Sequence, residues 1–284
     1  MCPAFRIKKK EKLGHTRVFA YKDRERKIKG SERKKKVRLM SRFFVPPENI
    51  KRNEIIVRGA EARHIAVVMR LEASDKIVVF DGTGSEYTGF IKEVNKKAKK
   101  IIIEIVSTKR PFTGALPEIV LAQALPKKEK MDYIVEKAVE LGVSRIIPVI
   151  SKRTIVLPDK ASGRKKTERW RKIAVAAAKQ CGGLKVPKID SITEYYEIVH
   201  QMDEYDLVLF ACLSEDTISL KKAISSFSAG KILVFIGPEG DFAPEEILMA
   251  GRVNTRFVSL GRRVLKSDTA GLFVLSILSY EFSL

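Results

Sequence analysis

The stretch ILVFIGPEGD, residues 232–241, indicates the fold of this chain more directly than any other. Its first five residues form an uninterrupted apolar run, which is typical of a strand covered on both faces in a parallel sheet. A loop with two glycines follows at once, and Pro244, Glu245 and Glu246 then have the composition of a first helical turn. The stretch therefore predicts a strand, a glycine-containing loop and a helix in immediate succession.

The same alternation extends over the carboxyl-terminal part of the chain, from about residue 117 to residue 284. Apolar residues with a helical period, among them Met131, Ile134 and Trp170, lie between further strand-like runs, and Gly142 is placed to end the first of these helices. The runs are residues 119–122, 146–150, 207–211 and 257–260. This alternation predicts a mostly parallel sheet, in which ligands bind beyond the carboxyl ends of the strands.

The loop that contains Gly237 and Gly240 follows such a strand end. Glycines let the backbone approach a ligand closely, but they also permit the positive φ of a tight turn that binds nothing. The loop matches neither the GxxxxGK[ST] phosphate loop nor the GxGxxG fingerprint, and the acidic helix start beyond it disfavours a phosphate. We therefore expect neither ATP nor a dinucleotide there.

A second loop, residues 259–270, follows the last strand and mixes glycine, cations and hydroxyl groups. Ser267 is a predicted cap of the C-terminal helix, which explains part of this composition without any function. The chain has neither a GxSxG elbow nor a cysteine–histidine pattern for a nucleophile. Binding chemistry is therefore favoured over covalent catalysis.

The preceding region, residues 42–109, has a different pattern. Short β-rich runs are separated by turn signals; the runs are residues 55–57, 76–80, 86–94 and 99–106, and the turns are residues 81–84 and 95–98. A short helix is predicted over residues 61–69. Several short strands with regular turns predict a small β-barrel or sandwich. Because the region has no catalytic cluster, its expected use is binding.

The net charge of +21 is unevenly distributed. Residues 1–40 hold 16 Lys and Arg against 4 Asp and Glu, a net charge of +12, and show no strand or helix period. We expect a disordered basic extension there. A natural start of translation at Met40 is left open. The surplus suggests a polyanionic partner such as RNA, although a solvated basic surface explains charge alone equally well.

Cysteine and histidine, each present three times, show neither a disulfide framework nor the spacing of metal ligands. We therefore expect a reducing, cytoplasmic location and no metal. No apolar run approaches the length that spans a bilayer, and the N-terminal region has charges where a signal peptide has its apolar stretch. No membrane association is expected.

Several segments, taken in order, resemble the bacterial ribosomal RNA small-subunit methyltransferase E family of the SPOUT superfamily, which methylates N3 of a uridine in 16S rRNA. The resemblance covers residues 41–284. Its segments are RFFV (42–45), QALPK (123–127), KMD (130–132), EKAVELGV (136–143), QCG (180–182), IGPEG (236–240) and LKSDTA (265–270).

The resemblance implies an α/β protein with a small PUA-like β-barrel at residues 41–110 that binds RNA. A SPOUT domain with a C-terminal trefoil knot would follow at residues 114–284. A homodimer, S-adenosylmethionine bound in the knot, and 16S rRNA or the small ribosomal subunit as partner are also implied. The implied cofactor-binding residues are Leu213, Ile236, Gly237, Pro238, Glu239, Gly240, Ser259, Leu260, Gly261, Val264 and Leu265.

Four positions depart from the family pattern. Asp241 stands where the family has a second glycine, and Gly183 stands where it has an arginine. Lys266 and Asp268 replace an arginine and a glutamate, which preserves charge but changes geometry, because lysine cannot make the planar bidentate contact of arginine. These departures bear on how the target is oriented more than on methyl transfer itself.

Methyl transfer to uracil N3 requires alignment of the reactants, stabilisation of negative charge on the base carbonyls and removal of one proton. Lys266 or Arg153 is the candidate cation, and Asp268 or Glu239 is the candidate proton acceptor. Two alternatives stay open. The chain could be a related knotted methyltransferase for another base or a ribose 2′-hydroxyl, or a noncatalytic RNA-binding protein of ribosome assembly.

Overall fold

The structure is a computed structural model that describes residues 42–110, 116–128, 130–251 and 254–283. The predicted basic extension, residues 1–40, lies outside the described residues. So does the start of the α/β region at residues 114 and 115.

The first sheet has five strands: β1 (Arg42–Phe44), β2 (Glu54–Arg58), β3 (Lys76–Phe80), β4 (Glu86–Asn95) and β5 (Lys100–Lys109). Their order is β1-β3-β4-β5-β2, with β1 parallel to β3 and the other pairs antiparallel. The sheet curls around its own apolar core, which includes Phe43, Ile55 and Ile103. The predicted strands are confirmed within a few residues.

The turns of the first sheet form where the sequence predicts them. After β3, the Asp81 carboxylate accepts hydrogen bonds from the backbone N–H groups of Thr83 and Ser85, at 2.8 and 3.1 Å. After β4, the Asn95 side chain accepts one from the N–H of Ala98 at 2.9 Å. These local bonds hold the hairpins because short polar side chains satisfy turn amides that the ladder leaves unpaired. Between β2 and β3, helix α1 (Gly59–Arg63) continues into a π-helical turn, His64–Val68.

The second sheet is parallel throughout the described residues. Its strands are β6 (Glu118–Ala124), β7 (Arg145–Ile150), β8 (Lys188–Ile189), β9 (Thr193–Glu194), β10 (Leu207–Ala211), β11 (Ile218–Ser219), β12 (Lys231–Ile236) and β13 (Thr255–Ser259). The order is β11-β13-β10-β12-β6-β7-β8, and β9 also pairs with β7. The predicted parallel sheet is confirmed.

Helices cover both faces of the second sheet. They are α2 (Lys130–Glu140), α3 (Lys160–Cys181), α4 (Tyr195–Val199), α5 (Leu220–Ile224), α6 (Pro244–Ala250) and α7 (Ser267–Phe282). One core holds apolar residues of α2, α3 and α7, and the other groups Tyr195 with Phe210, Phe235 and Phe242. Burial on both faces explains why the central strands are almost wholly apolar.

The two sheets are linked by direct contacts. Phe80, at the end of β3, is fully buried in the core of the second sheet's helices. The carbonyl of Gly82 accepts a hydrogen bond from the N–H of Val186 at 2.9 Å. Lys179 of α3 forms an ion pair of 2.7 Å with Glu61 of α1. The division at residues 110–114 stays a prediction.

The described ranges lack two features that the sequence does not predict. Within them, no helix has the combination of length and apolarity needed to cross a membrane. Over the same residues, no group of histidine, cysteine and carboxylate side chains is assembled for a metal ion.

Candidate functional site

A cleft opens at the carboxyl ends of β10, β12 and β13, where the sequence predicts the ligand site. Its volume is about 240 Å³, slightly below the usual range for small-molecule sites. All of the predicted cofactor residues except Gly240 line it. The lining residues are Ala211, Cys212, Leu213, Ile236, Gly237, Pro238, Glu239, Asp241, Ser259, Leu260, Gly261, Arg263, Val264, Leu265, Lys266, Ser267 and Ala270.

The first wall of the cleft is the loop after β12. A Cβ atom on Gly237 would lie 3.2 Å from the Asp241 carboxylate and from the Phe242 ring, so only glycine fits there without movement. The positive φ of this loop falls on Asp241, at 58°, and on neither glycine. The carboxylate of Asp241 accepts a hydrogen bond of 2.9 Å from the N–H of Leu213. Asp241 therefore joins the loop after β12 to the loop after β10.

The second wall is the loop after β13. Gly261 has a φ of 115°, a conformation that side-chain-bearing residues rarely adopt. Its N–H donates a hydrogen bond of 3.3 Å to the hydroxyl of Ser259. Beyond this turn, Val264 is 75% exposed and Leu213, on the opposite loop, is 70% exposed. Two exposed apolar side chains thus border the cleft.

The floor of the cleft is fixed by a buried hydrogen-bond chain. Gln123, which is fully buried at the end of β6, donates to the Ser267 hydroxyl at 2.9 Å. Ser267 in turn donates to the carbonyl of Gly237 at 2.6 Å. The prediction that Ser267 caps α7 is wrong, because Ser267 is the first helical residue and Lys266 holds the cap position. The hydroxyl ties α7 to the first wall instead.

The two predicted proton acceptors are both held by partners. The Glu239 carboxylate accepts a hydrogen bond of 3.0 Å from the N–H of Lys127. Lys130 lies 3.0 Å from Asp268 and 3.8 Å from Glu239. The hydrogen bond with Asp268 raises the pKa of Lys130 above its ordinary value. One ammonium group therefore connects α2, the first wall and α7.

The two predicted cations occupy different places. Lys266 lines the cleft at the start of α7. Arg153 does not line it: its guanidinium donates a hydrogen bond of 2.7 Å to the carbonyl of Gly240, on the outer side of the first wall. Lys266 is thus placed to face a ligand, whereas Arg153 supports the loop.

Cys212 lines the cleft but is unsuited to nucleophilic attack. Burial raises the pKa of its thiol to about 11, so the thiol stays protonated at neutral pH, and the thiolate is the reactive form. This agrees with the absence of a nucleophile motif in the sequence.

Three features of the site are absent from the sequence reasoning: the bridging role of Lys130, the buried Gln123–Ser267 pair and the link from Asp241 to Leu213. Lys130 and Gln123 lie in segments that carry the family resemblance, so the segments could be found but their side-chain partners could not. Asp241 was identified only as a departure from a glycine.

Two family models match this arrangement of a parallel α/β domain and a small β-domain. The model of an RNA methyltransferase domain matches residues 114–279, and that of an RNA methyltransferase PUA domain matches residues 57–104. The chain therefore combines an RNA methyltransferase domain with an RNA methyltransferase PUA domain.

More particularly, the chain belongs to the ribosomal RNA small subunit methyltransferase E family. It is 31% identical to the enzyme of that name from Bacillus subtilis (strain 168), covering 80% of this chain and 90% of the relative. Its likeness to the one from Mesomycoplasma hyopneumoniae (strain 232) is 29% identity, covering 84% of this chain and 98% of the relative.

Solved structures give the same result. The Neisseria gonorrhoeae ribosomal RNA small subunit methyltransferase E, bound to S-adenosylmethionine, superposes with a TM-score of 0.74 at 28% identity, over 86% of this chain and 98% of that one. The Legionella pneumophila protein Lpg2936, in complex with bound S-adenosylmethionine, has a TM-score of 0.75 at 29% identity, over 85% and 98% of the two chains.

Proposed function

We propose that this protein transfers a methyl group from S-adenosylmethionine to N3 of a specific uridine in 16S rRNA of the small ribosomal subunit. The observation that carries the proposal is the single cleft into which three separate strand ends bring the predicted cofactor residues. Family membership and the cofactor bound by two structural relatives support it.

The residues of the cleft fit S-adenosylmethionine. Gly237 and Gly261 keep the backbone of both walls free of side chains, as a ligand that is bound by backbone amides and carbonyls requires. Leu213, Val264 and Leu265 supply apolar surface for the adenine ring. Glu239 and Asp241 place carboxylates beside a ligand that carries two cationic groups. When bound, the cofactor supplies a methyl group on a positively charged sulfur.

Lys266 is the candidate for stabilising charge on the target base. Loss of the imide proton places negative charge on the carbonyl oxygens of uracil, and a cation facing the cleft lowers the energy of that charge. Arg153 acts in this proposal through Gly240, by holding the first wall in position.

Asp268 and Glu239 are the candidates for accepting the proton, directly or through water. Their bonds to Lys130 and to the N–H of Lys127 hold both carboxylates in fixed orientations at the edge of the cleft. Asp268 and Lys266 flank Ser267, so the cation and the acceptor share one helix start.

Single-turnover methylation with saturating RNA and cofactor tests these roles. We expect Lys266→Ala to slow the step by about a hundredfold, the usual effect of removing a charge-stabilising donor, and Lys266→Arg to retain most of the rate. Arg262→Ala is the matched control, because it removes an exposed cation of the same loop that does not line the cleft. An unchanged rate in Lys266→Ala would remove Lys266 from the mechanism.

A homodimer and a trefoil knot complete the proposal. On the described part of α7, Phe273 and Tyr280 are 39% and 85% exposed, and such apolar side chains on a helix suit a contact with a second copy. The knot is proposed from the family resemblance, and the position of β12 between β6 and β10 is compatible with it.

Nucleoside mass spectrometry of the methylated RNA separates the alternatives. We expect N3-methyluridine as the product. Methylation of another base or of a ribose 2′-hydroxyl would assign a different reaction to the same cleft. Absence of S-adenosylmethionine binding in calorimetry would favour a noncatalytic role in ribosome assembly.

A further inference from the structure

Three consecutive apolar residues of the loop between β7 and α3 lie open to solvent. Ile155, Val156 and Leu157 are 67%, 40% and 65% exposed. We call these three residues the apolar tip. An exposed apolar cluster costs hydration free energy, so it marks a surface that contacts something else.

The apolar tip projects from a base that is firmly held. Before it, Ser151 and Thr154 are bonded to each other through their hydroxyls at 3.0 Å, and the N–H of Lys152 donates to the buried Glu246 carboxylate at 2.8 Å. After it, the Asp159 carboxylate caps α3 by accepting from the N–H groups of Ala161 and Ser162. The tip is therefore presented by two anchored ends, which reduces the entropy cost of binding through it.

The base of the apolar tip also contacts the outer side of the first wall of the cleft. Arg153, two residues before Ile155, packs against Gly240 and donates to its carbonyl at 2.7 Å. The tip is therefore joined, through Arg153, to a loop that forms the cleft.

The charge around the apolar tip is strongly one-sided. On the α3 side, Lys160, Arg164 and Lys165 are exposed and have no ion-pair partner within the described ranges. On the other side, the tip borders Glu194 across a shallow depression, and Glu245 is paired with Lys152. Along its whole length α3 has one acidic residue, Glu168, and basic residues at positions 160, 164, 165, 166, 169, 171, 172 and 179.

We propose that the apolar tip and the first two turns of α3 together bind an unpaired segment of RNA, with bases against the tip and phosphates along the cations. Apolar side chains can pack against the face of a base that is out of the stack, and lysine and arginine attract the phosphate backbone. A duplex would keep its bases from the tip. This inference rests on the proposed function, since it assigns to that reaction the surface that holds RNA next to the cleft.

The first test compares the double variant Ile155→Ser/Leu157→Ser with the wild type. The RNA is carried by small ribosomal subunits from cells that lack this protein. We expect kcat/KM for the subunits to fall about tenfold or more, from the lost apolar burial, while S-adenosylmethionine affinity stays unchanged. Leu248→Ser is the matched control: Leu248 is 78% exposed on α6, on the acidic side, and its loss leaves kcat/KM unchanged.

The second test measures binding of a labelled oligouridine against salt concentration. For Arg164→Gln/Lys165→Gln, we expect the log–log slope to shrink by about 1.4, or about 0.7 for each lost phosphate contact with single strands. Lys221→Gln/Lys222→Gln, a pair of exposed cations on α5, leaves the slope unchanged. The proposal would be overturned if the slope were the same for the α3 variant and the α5 variant. It would also be overturned if the protein bound a duplex of the oligouridine with its complement more tightly than the single strand.

Three further outcomes are decisive. If analytical ultracentrifugation shows that the wild type is a dimer and the tip variant is a monomer, the tip is a contact between copies of the chain. The RNA assignment is then wrong. If the wild type methylates uridine N3 and the tip variant does so with equal kcat/KM, the proposed function stands and this inference fails. If the wild type transfers no methyl group to uridine N3 yet the oligouridine results hold, the surface stands and the proposed reaction fails.

Discussion

Asp241 has a left-handed backbone conformation that glycine adopts most readily, and it also supplies the only side-chain link between the loops after β10 and β12 among the hydrogen bonds of the described residues. Asp241→Gly fits the backbone but loses the acceptor for Leu213. We expect it to weaken S-adenosylmethionine binding about fivefold, from one hydrogen bond worth about 1 kcal/mol.

Asp241→Asn is the control for that experiment, because asparagine tolerates positive φ and keeps a carbonyl acceptor. It should bind the cofactor much as the wild type does in titration calorimetry. Wild-type affinity in Asp241→Gly would show that the link to Leu213 does not shape the cleft.

Ser267 offers a second test at the scale of one residue. Ser267→Ala deprives the Gly237 carbonyl of its donor and the buried Gln123 amide of an acceptor. We expect a loss of about 2 kcal/mol in the free energy of unfolding, the range for unsatisfied buried groups. Ser276→Ala, an exposed position of the same helix, should change it little. Equal effects in urea titrations would contradict the importance of the buried chain.

At this scale the sequence predicts positions better than roles. The resemblance places Gly237 and Gly261 among the cofactor-binding residues, and the structure supplies a steric reason for the first glycine and a backbone reason for the second. Asp241 and Ser267 could not be interpreted correctly, because each is defined by a partner distant in sequence. Local rules treat a serine before a helix as a cap, and only the folded chain brings the Gly237 carbonyl to its hydroxyl.

At the scale of elements, two helices each contain a glycine with opposite consequences. In α3, a Cβ atom on Gly163 would meet the Ile192 side chain at an ordinary 3.5 Å. In α7, one on Gly271 would lie 2.9 Å from the side-chain oxygen of Gln123, which is held by two hydrogen bonds through its amide nitrogen.

We therefore expect opposite signs from one substitution. Gly163→Ala should raise the free energy of unfolding by about 0.5–1 kcal/mol, since alanine is the better helix former. Gly271→Ala should lower it by about 1–3 kcal/mol, the range for overpacking a core. Urea unfolding of both variants measures this, and a stabilised Gly271→Ala would mean that Gln123 moves freely.

Asp159 gives α3 a pH-dependent start. Hydrogen bonds from backbone N–H groups, that of Ser162 foremost, lower the pKa of its carboxyl below the ordinary value. A lowered folded-state pKa contributes stability that is present above the unfolded-state pKa and is lost as pH falls through the folded-state pKa.

Asp159→Asn keeps a capping acceptor that does not titrate. On acidification from neutral pH to below about 3.9, the ordinary aspartate pKa, its thermal midpoint should fall less than that of the wild type. Parallel falls of the two midpoints would contradict the cap's charge dependence.

The long elements were predictable and the short ones were not. The runs at residues 76–80 and 207–211 coincide with β3 and β10, since a buried strand must be apolar along its length. The two-residue strands β8, β9 and β11 have no period to detect. Helices α4 and α5, of five residues each, are too short for a helical pattern.

At the scale of the whole molecule, the parallel sheet determines where the site lies. Its strand ends deliver three loops to one edge, and contacts between residues far apart in sequence then shape the cleft. Lys127 and Glu239 are separated by 112 positions, and Gln123 and Ser267 by 144. Composition and periodicity could predict the edge of the sheet, but they contain no information about which side chains meet there.

The first sheet and α3 extend this arrangement towards RNA. The turn after β3 accepts a hydrogen bond from the segment after α3, so the two sheets are in direct contact. The basic side of α3 and the apolar tip then lie on the same body as the cleft. Binding of RNA and transfer of the methyl group are thus assigned to one compact unit in this proposal.

The most direct measurement maps methylated nucleosides in the ribosomal RNA of cells with and without this protein. We expect one N3-methyluridine of 16S rRNA to disappear when the protein is absent and to return when the wild-type chain, but not Lys266→Ala, is restored. Identical maps in the presence and absence of the protein would contradict its assignment as the methyltransferase for that uridine.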